Sequence, residues 1–383
     1  MKASLLIVSV LCCQFAWAQD SVESKEKWEV KGYLKNMENL TFDHLSKQVT
    51  SGNLLHNRIN IKWMPSSTFT AVAQIRNRLF WGEEIKQTAS FSSLLRNENE
   101  KINLQVQWVN SSSVVLHTNT ERLYIDYRTE KWTVRVGRQR INWGVTTTWN
   151  PNDVFNSYNF LDFDYEERAG VDAAKLQYQF NDFGNIELAY ASIGNNKGDI
   201  AAARFSFNKW NYDFHVLTGW VYKQASAGAA WAGSINESGI KGELQYYFNS
   251  KDKDDRLNVV LEWDHMFKKG WYANFSTLYN SRGIDTVVNN FGTINLKLSP
   301  QNLMPTKWNL IATASKEITP LLSANVSVLY TPGTNLLILL PAVRYNLATN
   351  LDADLVGQSF FSELNSSFRA VSTRAILRMK WSF

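Results

Sequence analysis

The chain has 383 residues, of which 44% are hydrophobic and 13% aromatic, and it carries a formal net charge of +5. So small a positive charge does not indicate a nucleic-acid partner, and no stretch beyond the amino terminus has the roughly 18 consecutive apolar residues of a membrane-spanning helix. With a mean hydropathy of −0.29, such a chain can cross a bilayer only as a closed barrel of strands, because a barrel pairs every backbone group.

The amino terminus has the pattern of a secretory signal peptide. Lys2 precedes an apolar run over 5–11, and Ala16-Trp17-Ala18 supplies the small residues that signal peptidase recognises. We therefore predict a signal peptide over 1–18, a short periplasmic lead-in over 19–27 and one barrel over 28–383. The two cysteines, Cys12 and Cys13, fall in the removed segment, so the mature chain has neither a disulfide nor a thiolate metal site.

Apolar and polar residues alternate with a period of two from Trp28 to the carboxyl terminus. Leu257, Val259 and Leu261, for example, lie on the face opposite Asn258 and Glu262. Each such run is about 10 residues long, the length of a tilted strand that crosses the hydrocarbon layer. The ends of the runs carry aromatic residues, as expected at both membrane interfaces: Trp63, Trp132, Tyr178, Phe180, Trp271, Trp308, Trp381 and Phe383.

The connections between the runs are of two kinds, short turns and long loops. Alternation of this kind predicts an all-β, antiparallel, up-and-down transmembrane barrel of about 18 strands, with 16 as the alternative. The weakest strand is the small-residue run Ser226–Ile235. The predicted long outer loops are Met37–Gly52, Trp81–Asn119, Ile141–Ala169, Arg282–Pro305 and Ser359–Arg369.

The last strand carries a candidate assembly signal. Met379, Trp381 and Phe383 share one apolar face, opposite Arg378 and Lys380. A terminal phenylalanine on such a strand resembles the closing strand that the outer-membrane assembly machinery of Gram-negative bacteria recognises. We therefore expect the chain to lie in the outer membrane, with lipid outside the wall and water inside.

One segment resembles a known group of proteins. It contains Val136-Gly-Arg138-Gln139, then Trp143-Gly144, then Asn150-Pro-Asn-Asp153. A strand ending in Gly-Arg-Gln and followed by Trp-Gly before a long loop is similar to uncharacterised porin-like families related to alginate-export barrels. The resemblance covers about 122–173 and implies an outer-membrane channel, while export of a polysaccharide remains possible on the resemblance alone.

The long loop after this strand combines acidic and aromatic residues. Its aromatic content predicts that it folds into the lumen, where its carboxylates would face wall arginines across a constriction and create a transverse field for polar solutes. An ordered outer cap is the alternative, with the acids paired to Arg138, Arg140 and Arg168. The candidate constriction acids are Asp153, Asp162, Asp164, Glu166 and Glu167.

The alternation also assigns charged residues to the lumen. Most basic candidates lie in the first half of the chain: Arg58, Lys62, Arg76, Arg78, Arg128, Arg135, Lys175 and Arg204. The acids expected beside them are Asp126 and Glu187, and the later strands carry both signs, with Glu243 and Glu262 among the acids. A basic wall predicts a weak preference for anions. Equally, these arginines could serve only to pair with loop acids.

The pattern as a whole favours a passive channel for small polar or anionic solutes, without catalytic residues, cofactor or metal. No two histidines have the spacing of a zinc hydrolase. The partners expected are outer-membrane lipid, the assembly machinery and small solutes, with a possible homotrimer. Two alternatives stay open: a structural or adhesion barrel whose loops bind a partner, and a barrel-embedded hydrolase.

Overall fold

The computed structural model describes residues 27–97, 99–156, 169–194, 198–251, 253–287 and 298–383. The predicted signal peptide and all but the last residue of the lead-in lie outside these ranges. The alternating runs form strands β1 (Trp28–Asp43), β2 (Gln48–Trp63), β3 (Phe69–Gly82), β4 (Gln105–Asn110), β5 (Val114–Arg128), β6 (Trp132–Gln139), β7 (Val171–Asn181), β8 (Gly184–Ser192), β9 (Ile200–Lys209), β10 (Tyr212–Val221), β11 (Gln224–Ile235), β12 (Ser238–Tyr247), β13 (Arg256–Phe267), β14 (Trp271–Asn280), β15 (Trp308–Thr319), β16 (Leu322–Thr331), β17 (Leu336–Ala348), β18 (Leu351–Leu364) and β19 (Ser367–Ser382).

These strands close into a barrel. Neighbouring strands pair antiparallel, and β1 pairs with both β2 and β19, so the sheet has no free edge. β4 pairs only with β5 and belongs to a loop, which leaves 18 strands in the wall. The prediction of an 18-stranded antiparallel barrel is confirmed, and the doubtful run Ser226–Ile235 forms most of β11.

The two faces of the wall differ as the alternation predicts. Val216, Leu261 and Leu377 are exposed on the outside, whereas Asn258 and Glu262 are buried on the inside. The helices among the described residues are α1 (Glu83–Gln87), α2 (Phe91–Leu94) and a 3₁₀ turn at Lys268–Gly270. None of them is long and apolar enough to cross a membrane.

Short turns lie at one end of the barrel and the longer loops at the other. At the turn end, Trp210 and Asn211 both have positive φ, as do Asn236 and Glu237. Two successive residues with positive φ match the right-handed twist of the flanking strands, and asparagine tolerates this conformation well.

Two of the predicted long loops are wrong. In place of Met37–Gly52, β1 and β2 continue as a hairpin to a turn over 44–47, and in place of Ser359–Arg369, β18 and β19 continue to Asn365 and Ser366. Polar residues interrupt the apolar alternation around both turns, and the pairing of β18 with β19 also shifts register between Phe360 and Phe361, while the backbone pairing continues.

The carboxyl terminus closes the barrel. Phe383 N–H donates to the Gly32 carbonyl at 2.9 Å, and Gly32 N–H donates to the Phe383 carbonyl at 2.8 Å. A Cβ at Gly32 would lie 2.7 Å from the Phe383 ring, so only glycine fits there. Met379, Trp381 and Phe383 are exposed on the outer face, which is the face that lipid covers.

Candidate functional site

The lumen is the candidate site. The loop that enters it begins at the end of β6, where the backbone turns at Gly137. Gly137 has φ of +119°, and a Cβ there would lie 2.3 Å from the Leu123 carbonyl oxygen. Two residues later, the Gln139 side-chain amide donates to the Ala173 carbonyl at 2.9 Å and the Arg135 carbonyl at 3.1 Å. Glycine and glutamine thus fix the point at which the chain leaves the wall.

Arg138 seals the wall beside this point. The upper part of β5 pairs with β4, and only 123–128 pairs with β6. Arg138 fills the resulting junction: its guanidinium lies 3.1 Å from Glu100 and 2.9 Å from Asp172, and its side chain is 1% exposed. Burial raises the pKa of Glu100, against the attraction of Arg138. Arg138 is therefore engaged by acids outside the long loop, and Arg140 donates to Asn142 at 2.9 Å.

Residues 140–156, which we call the lumen loop, fold into the barrel. Ile141, Trp143, Val154 and Phe155 pack in one cluster with inward residues of β7–β10 and β12. Trp143 and Phe155 contact edge to face, with ring centroids 5.0 Å apart. Trp149 packs in a second cluster with residues of β13–β17 and with Leu303 and Met304 of a later loop. The lumen loop thereby lies against the wall from β7 to β17.

A tight internal turn shapes the lumen loop. Asp153 is 1% exposed, and its Oδ1 accepts from Trp143 N–H at 2.7 Å and from Gly144 N–H at 3.2 Å. A Cβ at Gly144 would lie 2.5 Å from that of Asn150, so the close approach requires glycine. The Trp-Gly and Asn-Pro-Asn-Asp motifs are thus two sides of one turn, and Asp153 serves the loop's own backbone.

Carboxylates of the wall hold the lumen loop. Glu243 on β12 accepts from Val145 N–H at 2.6 Å, Thr146 N–H at 2.8 Å and Asn152 N–H at 3.0 Å. Glu262 on β13 accepts from Thr147 N–H at 2.9 Å. Hydrogen bonds to a charged acceptor are among the strong ones, and each contributes about 1.5–3 kcal/mol. These anchors give the loop one defined position.

Glu187 on β8 is a third anchor. It accepts from the Trp143 indole N–H and lies 3.1 Å from Lys175 and 3.7 Å from Arg204. The Arg204 guanidinium lies over the Trp143 ring, 5.7 Å from its centroid. The structure thus places the predicted pore-lining residues Lys175 and Arg204 beside an anchor of the lumen loop.

A basic wall lies on β2 and β3, formed by Arg58, Arg76 and Arg78. Arg58 and Arg76 occupy directly opposed positions on the two strands, where like charges repel each other. Glu121 on β5 offsets this repulsion, because its carboxylate lies 2.6 Å from Arg76. All three arginines are buried on the inner face.

Glu121 is an inward-facing acid that the alternation missed. The pairing of β3 with β5 slips by one residue between Arg122 and Thr120. A bulge makes two consecutive residues face the same way, so Glu121 and Arg122 both point inward and are buried. The sequence carries no local signal for this bulge.

Lys62, Arg128 and Arg135 lie at the turn end of the lumen. They line a cavity of about 470 Å³ together with Glu29 and Asp126. Asp126 lies 3.1 Å from Arg135 and 3.4 Å from Arg128, while Lys62 lies 3.7 Å from Glu29. The remaining candidates, Asp162, Asp164, Glu166 and Glu167, lie outside the described residues. The described part of the chain has no group of three or more His, Cys, Asp or Glu residues that could hold a metal.

Similarity to known proteins is visible in the fold alone. No protein-family model matches the chain, and no curated protein matches it. Acinetobacter baumannii OccAB4 is 10% identical with a TM-score of 0.60, the match covering 93% of this chain and 98% of that one. Pseudomonas aeruginosa OccK11 (OpdR) is 10% identical with a TM-score of 0.57, covering 94% and 97%. P. aeruginosa OpdK, solved with vanillate, is 10% identical with a TM-score of 0.55, covering 93% and 99%. These Occ/Opd proteins are outer-membrane porins with 18-stranded barrels.

Proposed function

We propose that this chain is a passive outer-membrane channel for small polar or anionic solutes. The observation that carries the proposal is a closed wall of 18 strands with apolar residues outside, charged residues inside and a loop anchored across its interior. The structural likeness to Occ and Opd porins supports it. The described inner face anchors a loop and carries polar and charged side chains, and the proposal includes no catalytic step.

We also propose that the loop acids form one side of a constriction. The two ends of the segment outside the described residues meet at the lumen loop, where the Asn156 amide donates to the Ala169 carbonyl at 2.5 Å. The segment between them carries Asp162, Asp164, Glu166 and Glu167. Placed opposite the basic wall, these carboxylates would produce the transverse field of a selective pore. Deletion of 157–166 is then expected to raise the single-channel conductance, and an unchanged conductance would favour an outer cap.

The basic wall supports a weak anion preference. We expect Glu121→Gln to shift the reversal potential further toward anions, because it removes the described carboxylate beside Arg76. Reversal potentials measured in planar bilayers under a salt gradient test this. Glu237→Gln, in an exposed turn, removes the same charge away from the basic wall and serves as the control. Cation selectivity of the unsubstituted protein would remove the proposal of anion preference.

The route to the membrane is part of the same proposal. Residues 1–18 would direct secretion, and 19–27 would form a periplasmic lead-in. The outer-membrane assembly machinery would recognise Phe383, Trp381 and Met379. A homotrimer and a relation to alginate-export barrels remain proposals from the sequence. Light scattering of the refolded protein, corrected for bound detergent, measures the association state.

Liposome swelling tests the channel against its alternatives. Vesicles that contain the refolded protein are expected to swell in small sugars and progressively less in larger ones. A structural or adhesion barrel would admit none of the sugars, so the vesicles would not swell. Hydrolysis of lipid or peptide by the same preparation would instead support an enzyme.

A further inference from the structure

A second charged site lies at the loop end of the barrel, apart from the anchors of the lumen loop. A cavity of about 640 Å³ opens there beside 253–256, 281–287 and 298–305. Three cations line it, namely Lys253, Arg256 and Arg282. One acid, Asp254, also lines it, and the remaining lining is mostly polar, with Gln224, Ser299, Gln301 and Asn302 among the residues.

Two of these cations converge on one residue. The Arg256 guanidinium donates to the Gln301 carbonyl at 2.9 Å and to Asn302 Oδ1 at 3.0 Å. The Lys253 ammonium donates to the Tyr222 carbonyl at 2.8 Å and lies 3.5 Å from Gln301 Oε1. Lys253 and Arg256 are therefore held close together, and every acceptor that the described residues give them is neutral.

Two acids lie beside these cations, and both contact Arg282. Arg282 pairs with Asp255 and lies 3.4 Å from Asp254. Asp255 also accepts from the Tyr246 hydroxyl at 3.1 Å, and the hydrogen bond from Arg282 lowers the pKa of Asp255. One guanidinium balances only one carboxylate, so these five charged groups together carry a net charge of +1. Among the described contacts, neither Asp254 nor Asp255 forms an ion pair with Lys253 or Arg256.

Burial and neighbouring positive charges both act on Lys253. Partial burial lowers the pKa of its ammonium, and the neighbouring charges of Lys223 and Arg256 lower it further. An anion between Lys253 and Arg256 would offset the repulsion between their charges. It would also give their N–H groups a charged acceptor, which forms stronger hydrogen bonds than the neutral oxygens they now contact.

We propose that this cavity binds a dissolved phosphate or carboxylate group. The face of the wall decides between a dissolved anion and a lipid headgroup. Arg256 shares its face of β13 with Asn258 and Glu262, which are buried on the inner side. Arg256 therefore faces the mouth of the barrel, which favours a dissolved anion over a lipid headgroup, and binding there requires no passage through the lumen.

A local reporter can test the site. The chain from Gln19 onward has no cysteine, so Ile284→Cys, at a residue that lines the cavity, can carry an environment-sensitive fluorophore. The labelled, refolded protein in detergent is titrated with sodium phosphate and with sodium succinate at constant ionic strength, with chloride as the reference anion. We expect a saturable fluorescence change with phosphate or succinate that chloride does not give.

Substitutions complete the test. We expect the double variant Lys253→Gln and Arg256→Gln to raise the half-saturating concentration about tenfold or more, and Lys253→Gln alone to raise it less. Lys47→Gln, in the turn between β1 and β2 at the same end of the barrel, should leave it unchanged. The single variant retains Arg256 and its contacts to Gln301, so it tests the site even if the double variant fails to refold. Equal titration curves for Lys253→Gln and the unsubstituted protein would overturn the proposal, as would a response that chloride reproduces.

Discussion

Replacing Glu243 by alanine is expected to release the lumen loop and raise the conductance of the channel. The substitution removes one carboxylate that holds three backbone N–H groups of the loop and the Thr146 hydroxyl. At about 1.5–3 kcal/mol for each bond to a charged acceptor, several kcal/mol of anchoring are lost. A freed loop samples several positions, so we also expect larger current fluctuations at constant voltage.

Glu243→Gln separates charge from shape in this experiment. Glutamine keeps the volume of the side chain but replaces one acceptor oxygen by an NH₂ group. That group is a donor and would face the backbone N–H groups that now donate to the oxygen it replaces. Its effect should be intermediate. Glu237→Gln, in the exposed turn before the same strand, is the matched control. Recordings in which the alanine variant and the control have the same conductance and noise would show that Glu243 does not fix the loop.

The second large effect is expected at Arg138. Arg138→Met keeps most of the aliphatic length but removes the guanidinium that pairs with Glu100 and Asp172. Loss of one partner from a buried ion pair typically costs about 3–5 kcal/mol, because the remaining charge stays buried. We expect the free energy of unfolding to fall by about this amount in urea titrations of the protein in lipid vesicles, followed by tryptophan fluorescence.

Arg140→Met is the control for this substitution. Arg140 is two residues away, and its described side-chain hydrogen bond goes to Asn142. We expect its effect on the free energy of unfolding to be clearly smaller, because Arg140 is only half-buried and forms no ion pair with an acid of the described residues. Equal losses in the two variants would contradict the role assigned to Arg138 as the seal between β5, β6 and the loop before β4.

The strands could be predicted from the sequence because lipid and water impose a different residue type on each face. β11 illustrates how far this extends: its alanines and glycines carry little hydrophobic contrast, yet Trp231 and the turn at Asn236 and Glu237 still place it. The hairpin extensions at 44–47 and 365–366 could not be predicted because polar residues and, in β18, a register shift interrupt the alternation there while the backbone pairing continues.

The lumen contacts could be predicted only in part. The alternation assigned Glu243 to the inner face, but its hydrogen bond to Val145 N–H joins residues nearly 100 positions apart, and no local pattern encodes such a contact. The alternation did not assign Glu121 to the inner face because a single bulge in β5 reverses the face assignment. Its position next to Arg76 changes the charge balance of the basic wall.

The most distinctive motif has a structural explanation. Gly137 permits a close backbone approach, Arg138 seals the wall, Gln139 ties β6 to β7, and Asp153 closes the turn that begins at Trp143. The motif thus builds the origin and the first half of the lumen loop. Chemical selectivity is expected from the charges around it.

Single-channel recording of the purified, refolded protein in a planar bilayer tests the central claim most directly. A closed wall around a wet interior predicts discrete current steps whose size grows with salt concentration. The charged interior further predicts a reversal potential displaced toward anions under a salt gradient. A protein that inserts into the bilayer and carries no current at any voltage or salt concentration would contradict the claim.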